Sequence, residues 1–207
     1  MEGGQGSTRI VYAELDVKSW KLRLPSAEEV RPASCPCCGV VSRPAGGQVI
    51  LHGHGLRTRD QWGPPDATAA PELGEVVCRR YHCLACGAVL MVMPRGILRR
   101  RLYSASAIAL ALTLWGVEGL APGEVRARVS PLRIIGASAA IGWTSLRRWA
   151  RAVREAKIFG GLGVSIAGAR WREVAAWTAT ALAVFAPCAA DALAISERAF
   201  LGATHVS

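Results

Sequence analysis

Two short segments repeat one pattern, Cys35-Pro36-Cys37-Cys38-Gly39 and Cys83-Leu84-Ala85-Cys86-Gly87. A two-residue gap lets two thiolates of one tight turn face the same ion. The glycine that follows permits a positive φ, which frees amides to point at sulfur. Two such turns supply four thiolates, the ligand set of a closed, tetrahedral structural zinc site. The expected ligands of one structural Zn²⁺ are therefore Cys35, Cys38, Cys83 and Cys86, with Cys37 open as the alternative to Cys38. Four thiolates leave no free coordination position, so the expected role is stabilisation and not catalysis. The turns are separated by 44 residues, more than the ~15–20 of compact spacings. A Pro/Ala/Gly-rich loop, Gly63–Gly74, takes up part of the surplus at little entropic cost. A redox pair would not explain the second copy, and the His-x-Glu half of a deaminase site is missing. Cys78 and Cys188 read as small buried apolar residues. His52 and His54 lie two apart and read as one polar strand face, since two ligands do not complete a metal site.

A second pattern is cationic. In Trp143-Thr144-Ser145-Leu146-Arg147-Arg148-Trp149-Ala150-Arg151-Ala152-Val153-Arg154, the residues Trp143, Leu146, Ala150 and Val153 recur at helical spacing as one apolar stripe. Arg147, Arg151 and Arg154 recur at i, i+4, i+7 on another face, flanked by Arg148, Thr144 and Ser145. A solvated face usually mixes signs, yet Ala137 to Arg154 holds no acidic residue. The arrangement suits a recognition helix, whose early residues reach base edges and whose arginines read guanine or hold phosphate. A second cluster, Arg99-Arg100-Arg101, is expected to clamp phosphate, and Arg57, Arg59, Arg79 and Arg80 could extend the footprint.

The whole-chain charge agrees with this placement. The 207 residues carry 25 Lys+Arg against 15 Asp+Glu, a net +10. Residues 96–157 hold eleven basic and three acidic residues, so eight of the ten excess charges fall in that stretch. A focused excess is the footprint of a polyanion-binding surface. A hydrophobic share of 51% with 19% charged residues excludes a wholly disordered chain. There is no collagen period and no sustained heptad, and seven cysteines are too few for a disulfide scaffold. The polar, Gly-rich start at Met1–Ser7 has no apolar signal segment. The apolar runs Ala105–Val117 and Val174–Ala190 span 13 and 17 residues. Both fall short of the ~20 needed to cross a bilayer, so no membrane span is expected.

The elements that must position these residues define an α+β class. Residues 1–34 form a leader with possible short strands. Residues 35–95 form a small β-rich zinc ribbon, with strands near Val49–Leu51, Glu75–Cys83 and Ala88–Met93. Residues 96–157 form an all-α, homeodomain-like helix-turn-helix segment. Its helices are expected at Ser104–Trp115 with Ser104 as N-cap, from Ala121 to Pro131, and at about Ser138–Lys157. Residues 158–207 form a Gly linker and a helical tail, with helices near Arg170–Phe185 and Ala190–Leu201.

In this order (CPCCG, HGHGLRTRD, a long loop, VCRRYHCLACG, then a helix with LRRW) the chain resembles the N-terminal DNA-binding region of bacterial insertion-sequence transposases. The resemblance covers about residues 35–157. It implies a zinc ribbon joined to a helix-turn-helix that binds an element's terminal inverted repeats, with Cys35, Cys38, Cys83 and Cys86 as ligands. A catalytic acidic-triad domain needs ~150 residues, whereas 50 follow Lys157. The expectation is thus a non-enzymatic, sequence-specific double-stranded-DNA-binding protein, accessory to a transposase, regulatory, or a truncated transposase, in the bacterial cytoplasm at the nucleoid. The alternatives are a transcriptional regulator, or an interaction subunit that docks a transposase or a second copy through its C-terminal helices.

Overall fold

Local signals in the second half of the chain set its helices directly. Ser104 accepts from the Ala107 amide (3.0 Å) and opens α2, Ala105–Gly116. A glutamate three residues into each of three helices reaches back to the amide that precedes it. Glu124 accepts from Ala121 (2.8 Å), Glu173 from Arg170 (2.8 Å) and Glu197 from Ala194 (3.1 Å). These carboxylates start α3 (Pro122–Val129), α5 (Trp171–Val184) and α6 (Ile195–Val206). Between them lies α4, Ser145–Arg154.

The computed structural model describes residues 8–133, 142–162 and 168–206. It is a mixed α+β fold with one four-stranded sheet and, among the described residues, six α-helices. The strands are β1 (Arg9–Asp16), β2 (Leu51–Gly63), β3 (Glu72–Cys83) and β4 (Val89–Arg95), and α1 (Val17–Leu22) follows β1. The chain divides into two units, Met1–Arg59 with Val76–Arg95, and Asp60–Glu75 with Gly96–Ser207.

In the first unit the sheet order is β1-β4-β3-β2. β4 is the apolar run VLMVMPR, which is why it takes a central position, buried from Leu90 to Pro94. It pairs antiparallel with β3, Tyr81 opposite Leu90, and parallel with β1, Ile10 opposite Met91. Residues 1–34, set apart as a leader by their sequence, are thus built into the sheet unit from Arg9 onward. Trp20 is fully buried and donates its indole N–H to the Val77 carbonyl (2.8 Å). The Tyr81 hydroxyl donates to the Ala27 carbonyl (2.6 Å), and the Arg31 guanidinium donates to the Leu51 carbonyl. The signal for this role was the isolated Trp20, an apolar body with one donor that needs a buried acceptor.

The second unit has an alanine-rich core. Every residue of α2 from Ala105 to Trp115 is buried, and α5 and α6 pack against it. Small residues make that approach possible. A Cβ at Gly116 would overlap the Ala176 backbone, and one at Gly202 would overlap the Leu182 carbonyl. An aromatic group fills the opposite side of the core. Tyr103 contacts Trp62, Trp143 and Trp149 edge-on at 5.2–5.8 Å, and its hydroxyl lies 2.7 Å from the Ser130 hydroxyl.

The helices stand close to the expected bounds, with two differences. The third helix runs Ser145–Arg154, ending short of the expected Lys157 where Ala156 takes φ +52°. Residues 142–144 are not helical, because Gly142 has φ +74°, and the expected start at Ser138 lies outside the described residues. The last helix runs Ile195–Val206, since Cys188–Ala190 forms a short 3₁₀ turn after Pro187. Among the described residues no helix is long and apolar enough to cross a membrane.

Candidate metal centre and cationic helix

Two turns with matched hydrogen bonds build the sulfur cluster. In the first, the Gly39 amide donates to the Cys35 carbonyl (2.8 Å) and the Cys35 amide to the Val40 carbonyl (2.9 Å). In the second, the Gly87 amide donates to Cys83 (2.8 Å) and the Cys83 amide to Ala88 (2.9 Å). Gly39 and Gly87 have φ +74° and +72°, a region that strains any residue with a Cβ. The second turn joins β3 to β4. The Leu84 amide donates to the Ile50 carbonyl (3.0 Å), and the Ile50 amide to Ser42 (2.7 Å), tying it to the strap that carries the first turn.

The result brings Cys35, Cys38, Cys83 and Cys86 together, with all four sulfurs within 4.8 Å of one another. Sγ–Sγ is 3.8 Å for Cys35–Cys86 and for Cys38–Cys83. Four sulfurs at ~2.3 Å from a tetrahedral centre lie ~3.8 Å apart, whereas a disulfide needs about 2.05 Å. The cluster therefore has the dimensions of a metal site, and none of the seven cysteines forms a disulfide. Cys37 is exposed and outside the cluster, whereas Cys38 is part of it.

Electrostatics favour a cation here. Burial opposes ionisation of Cys35, but the amides of Cys37 and Cys38 with neighbouring thiols outweigh it and bring the thiol down to about 7. The Ala88 amide favours the Cys86 thiolate, yet burial and the three other sulfurs push it up to about 12. Cys38 is raised too: the Val40 amide favours its thiolate, and burial with Cys35 and Cys83 outweighs that. Four thiolates this close cannot all carry charge without a cation between them, so the donor set fits a divalent metal ion.

Of the remaining cysteines, Cys78 is fully buried and burial pushes its thiol up to about 11. Cys188 differs from the sequence expectation. It starts the 3₁₀ turn after Pro187 and is exposed, because that turn leaves the core before α6 begins. His52 and His54 lie exposed on β2 apart from the sulfur cluster. His52 Nε2 is 2.7 Å from the Val49 carbonyl, and the His54 ring is 5.6 Å from His82.

The cationic residues are placed as follows. On α4, Leu146, Trp149, Ala150, Ala152 and Val153 are buried and Trp143 just before it is 8% exposed. Thr144, Arg147, Arg148, Arg151 and Arg154 are exposed and Ser145 is half-buried. Among the described residues none of these four arginines makes an ion pair, and the nearby Glu155 is held by Lys157 (2.7 Å). Sequence reasoning missed one partner. Trp171, the first residue of α5, lies under the Arg154 guanidinium at 3.9 Å and near that of Arg151 at 5.6 Å. Arg99 and Arg100 are exposed in the turn after β4, with Arg100 at φ +57°, and Arg101 is half-buried. On β2 and β3, Arg57 is exposed and Arg59, Arg79 and Arg80 are half-buried, and Arg79 donates to the Pro25 carbonyl.

Comparison with protein-family models, with curated proteins and with solved structures returns no match.

Proposed function

We propose that the chain is a zinc-stabilised, non-enzymatic DNA-binding protein. The sulfur cluster holds one Zn²⁺ and organises a ribbon, and α2, α3 and α4 form a helix-turn-helix that presents α4 to duplex DNA. The observation that carries this reading is the division of α4. Its apolar side is buried, while Arg147, Arg148, Arg151 and Arg154 face solvent and form no ion pair among the described residues; the Glu155 carboxylate, held by Lys157, also feels the charges of Arg151 and Arg154. Such a face is matched to phosphate and to the acceptor edge of guanine. The Trp171 contacts divide the labour. Arg147 and Arg148, in the first turn of the helix, are free to reach base edges. Arg151 and Arg154, steadied on an indole, are placed for the backbone. Exposed Arg99 and Arg100 add a phosphate clamp. The resemblance to transposase DNA-binding regions makes element ends the first target to try, with a promoter as the competing one.

A gel-shift assay with element-end and random duplexes tests the reading. The variant Arg147→Ala/Arg148→Ala/Arg151→Ala is expected to lose at least about tenfold in affinity, because charged hydrogen bonds contribute about 1.5–3 kcal/mol each. Unchanged affinity in the triple variant removes α4 as the interface. Equal affinity for every duplex removes sequence specificity.

A further inference from the structure

Beside the first turn of α4 lies a cavity of about 210 Å³. Its apolar walls include Trp115, Pro122, Trp143 and Leu146, and Arg147 and Arg172 also line it. We propose that this cavity is a binding site for a single-ring aromatic carboxylate, independent of whether α4 meets DNA.

Three features carry the assignment. The first is charge. Two arginines from different helices line one small cavity, and among the described residues no carboxylate lines it. The acidic residues nearest in sequence are committed elsewhere, Glu124 to the Ala121 amide and Glu173 to the Arg170 amide. Among the described residues neither Arg147 nor Arg172 forms an ion pair. The second is orientation. The Arg172 guanidinium is anchored by donating to the Leu120 carbonyl (3.2 Å) and lies 5.9 Å from the Trp115 ring. Thr144, also on the lining, makes no side-chain cap, so the positive end of α4 is left uncapped by a side chain at the same place. The third is shape. Two indoles, a leucine and a proline make apolar walls suited to a flat ring, and the volume is below the ~300 Å³ at which drug-sized clefts begin. A planar carboxylate matches the guanidinium fork, and its ring matches the indole walls.

Calorimetric titration of the full chain in the absence of DNA tests the site, using benzoate, benzamide and acetate as probes. Benzoate is expected to bind one per chain. Benzamide, which keeps the ring without the charge, and acetate, which keeps the charge without the ring, should each bind about tenfold or more weakly. Arg172→Gln and Arg147→Gln, both at exposed positions that leave the core intact, should each weaken benzoate by a similar factor. The proposal is overturned if benzoate fails to bind at millimolar concentration. It is overturned equally if benzamide or acetate matches benzoate, or if both arginine variants bind it as the wild type does. None of these outcomes depends on duplex binding, so failure here leaves the DNA reading standing, and the reverse.

Discussion

At the residue scale the seven cysteines fall into three chemical groups. Four share one cluster, Cys78 is sealed in the sheet, and Cys37 and Cys188 face solvent. Alkylation of the native chain followed by mass spectrometry should therefore label Cys37 and Cys188 first. Adding a chelator should then open the exposed Cys38 and Cys86, while Cys78 stays protected until global unfolding. Rapid labelling of Cys38 before chelation would show that the cluster holds no ion. The four clustered cysteines were legible in the sequence because thiolate spacing and the following glycine are local requirements of the turn. The exposure of Cys188 was not legible, because it depends on how the chain runs after Pro187. The Cys37–Cys38 ambiguity was also tertiary: only the fold shows which sulfur meets Cys83 at 3.8 Å.

Helices and strands were legible to different degrees. α2 and α3 stood where a Ser N-cap, an N-terminal proline and a first-turn glutamate put them. β2 runs 13 residues, far past the short apolar run at its start, because HGHGLRTRDQW is mostly exposed and polar and so carries no burial pattern. β1 falls where the partly alternating polarity of Ile10-Val11-Tyr12 allowed a short strand in residues 1–34, but its place beside β4 depends on pairing that the local sequence does not encode. For α4 the apolar stripe was correct, but the contact between Arg154 and Trp171 joins residues 17 apart through the packing of α4 on α5. This contact makes the arginines unequal. Arg154→Ala is expected to lower unfolding free energy by about 0.5–1 kcal/mol, the value of an exposed cation–π contact. Arg147→Ala should stay within about 0.5 kcal/mol of wild type, as surface substitutions usually do. Urea melts of the two variants check the contrast, and equal losses would contradict it.

Over the whole molecule the chain is two units with different sources of stability. The second contains the continuous apolar core of α2, α4, α5 and α6. The first has a four-stranded sheet whose β3–β4 connection is the second cysteine turn itself. A structural metal can contribute on the order of 10 kcal/mol of apparent folding free energy, more than a small sheet holds in reserve. Chelation should therefore strip hydrogen-exchange protection from β3 and β4 while the amides of α2, α5 and α6 remain protected. Protection lost evenly across the chain, or not at all, would contradict this division. The net +10 divides between the units, +6 on the first and +4 on the second, where Asp60, Asp66, Glu72 and Glu75 offset half of the +8 carried by residues 96–157.

The most direct measurement is the salt dependence of duplex binding by wild type and by Arg147→Ala/Arg148→Ala/Arg151→Ala, followed by fluorescence anisotropy. Each phosphate contact removed lowers the slope of log affinity against log salt by about 0.9. A steep wild-type slope, reduced by up to about 2.7 in the variant if all three arginines hold phosphate, is the predicted result. A shallow wild-type slope, or one that the three substitutions leave unchanged, would contradict binding through α4.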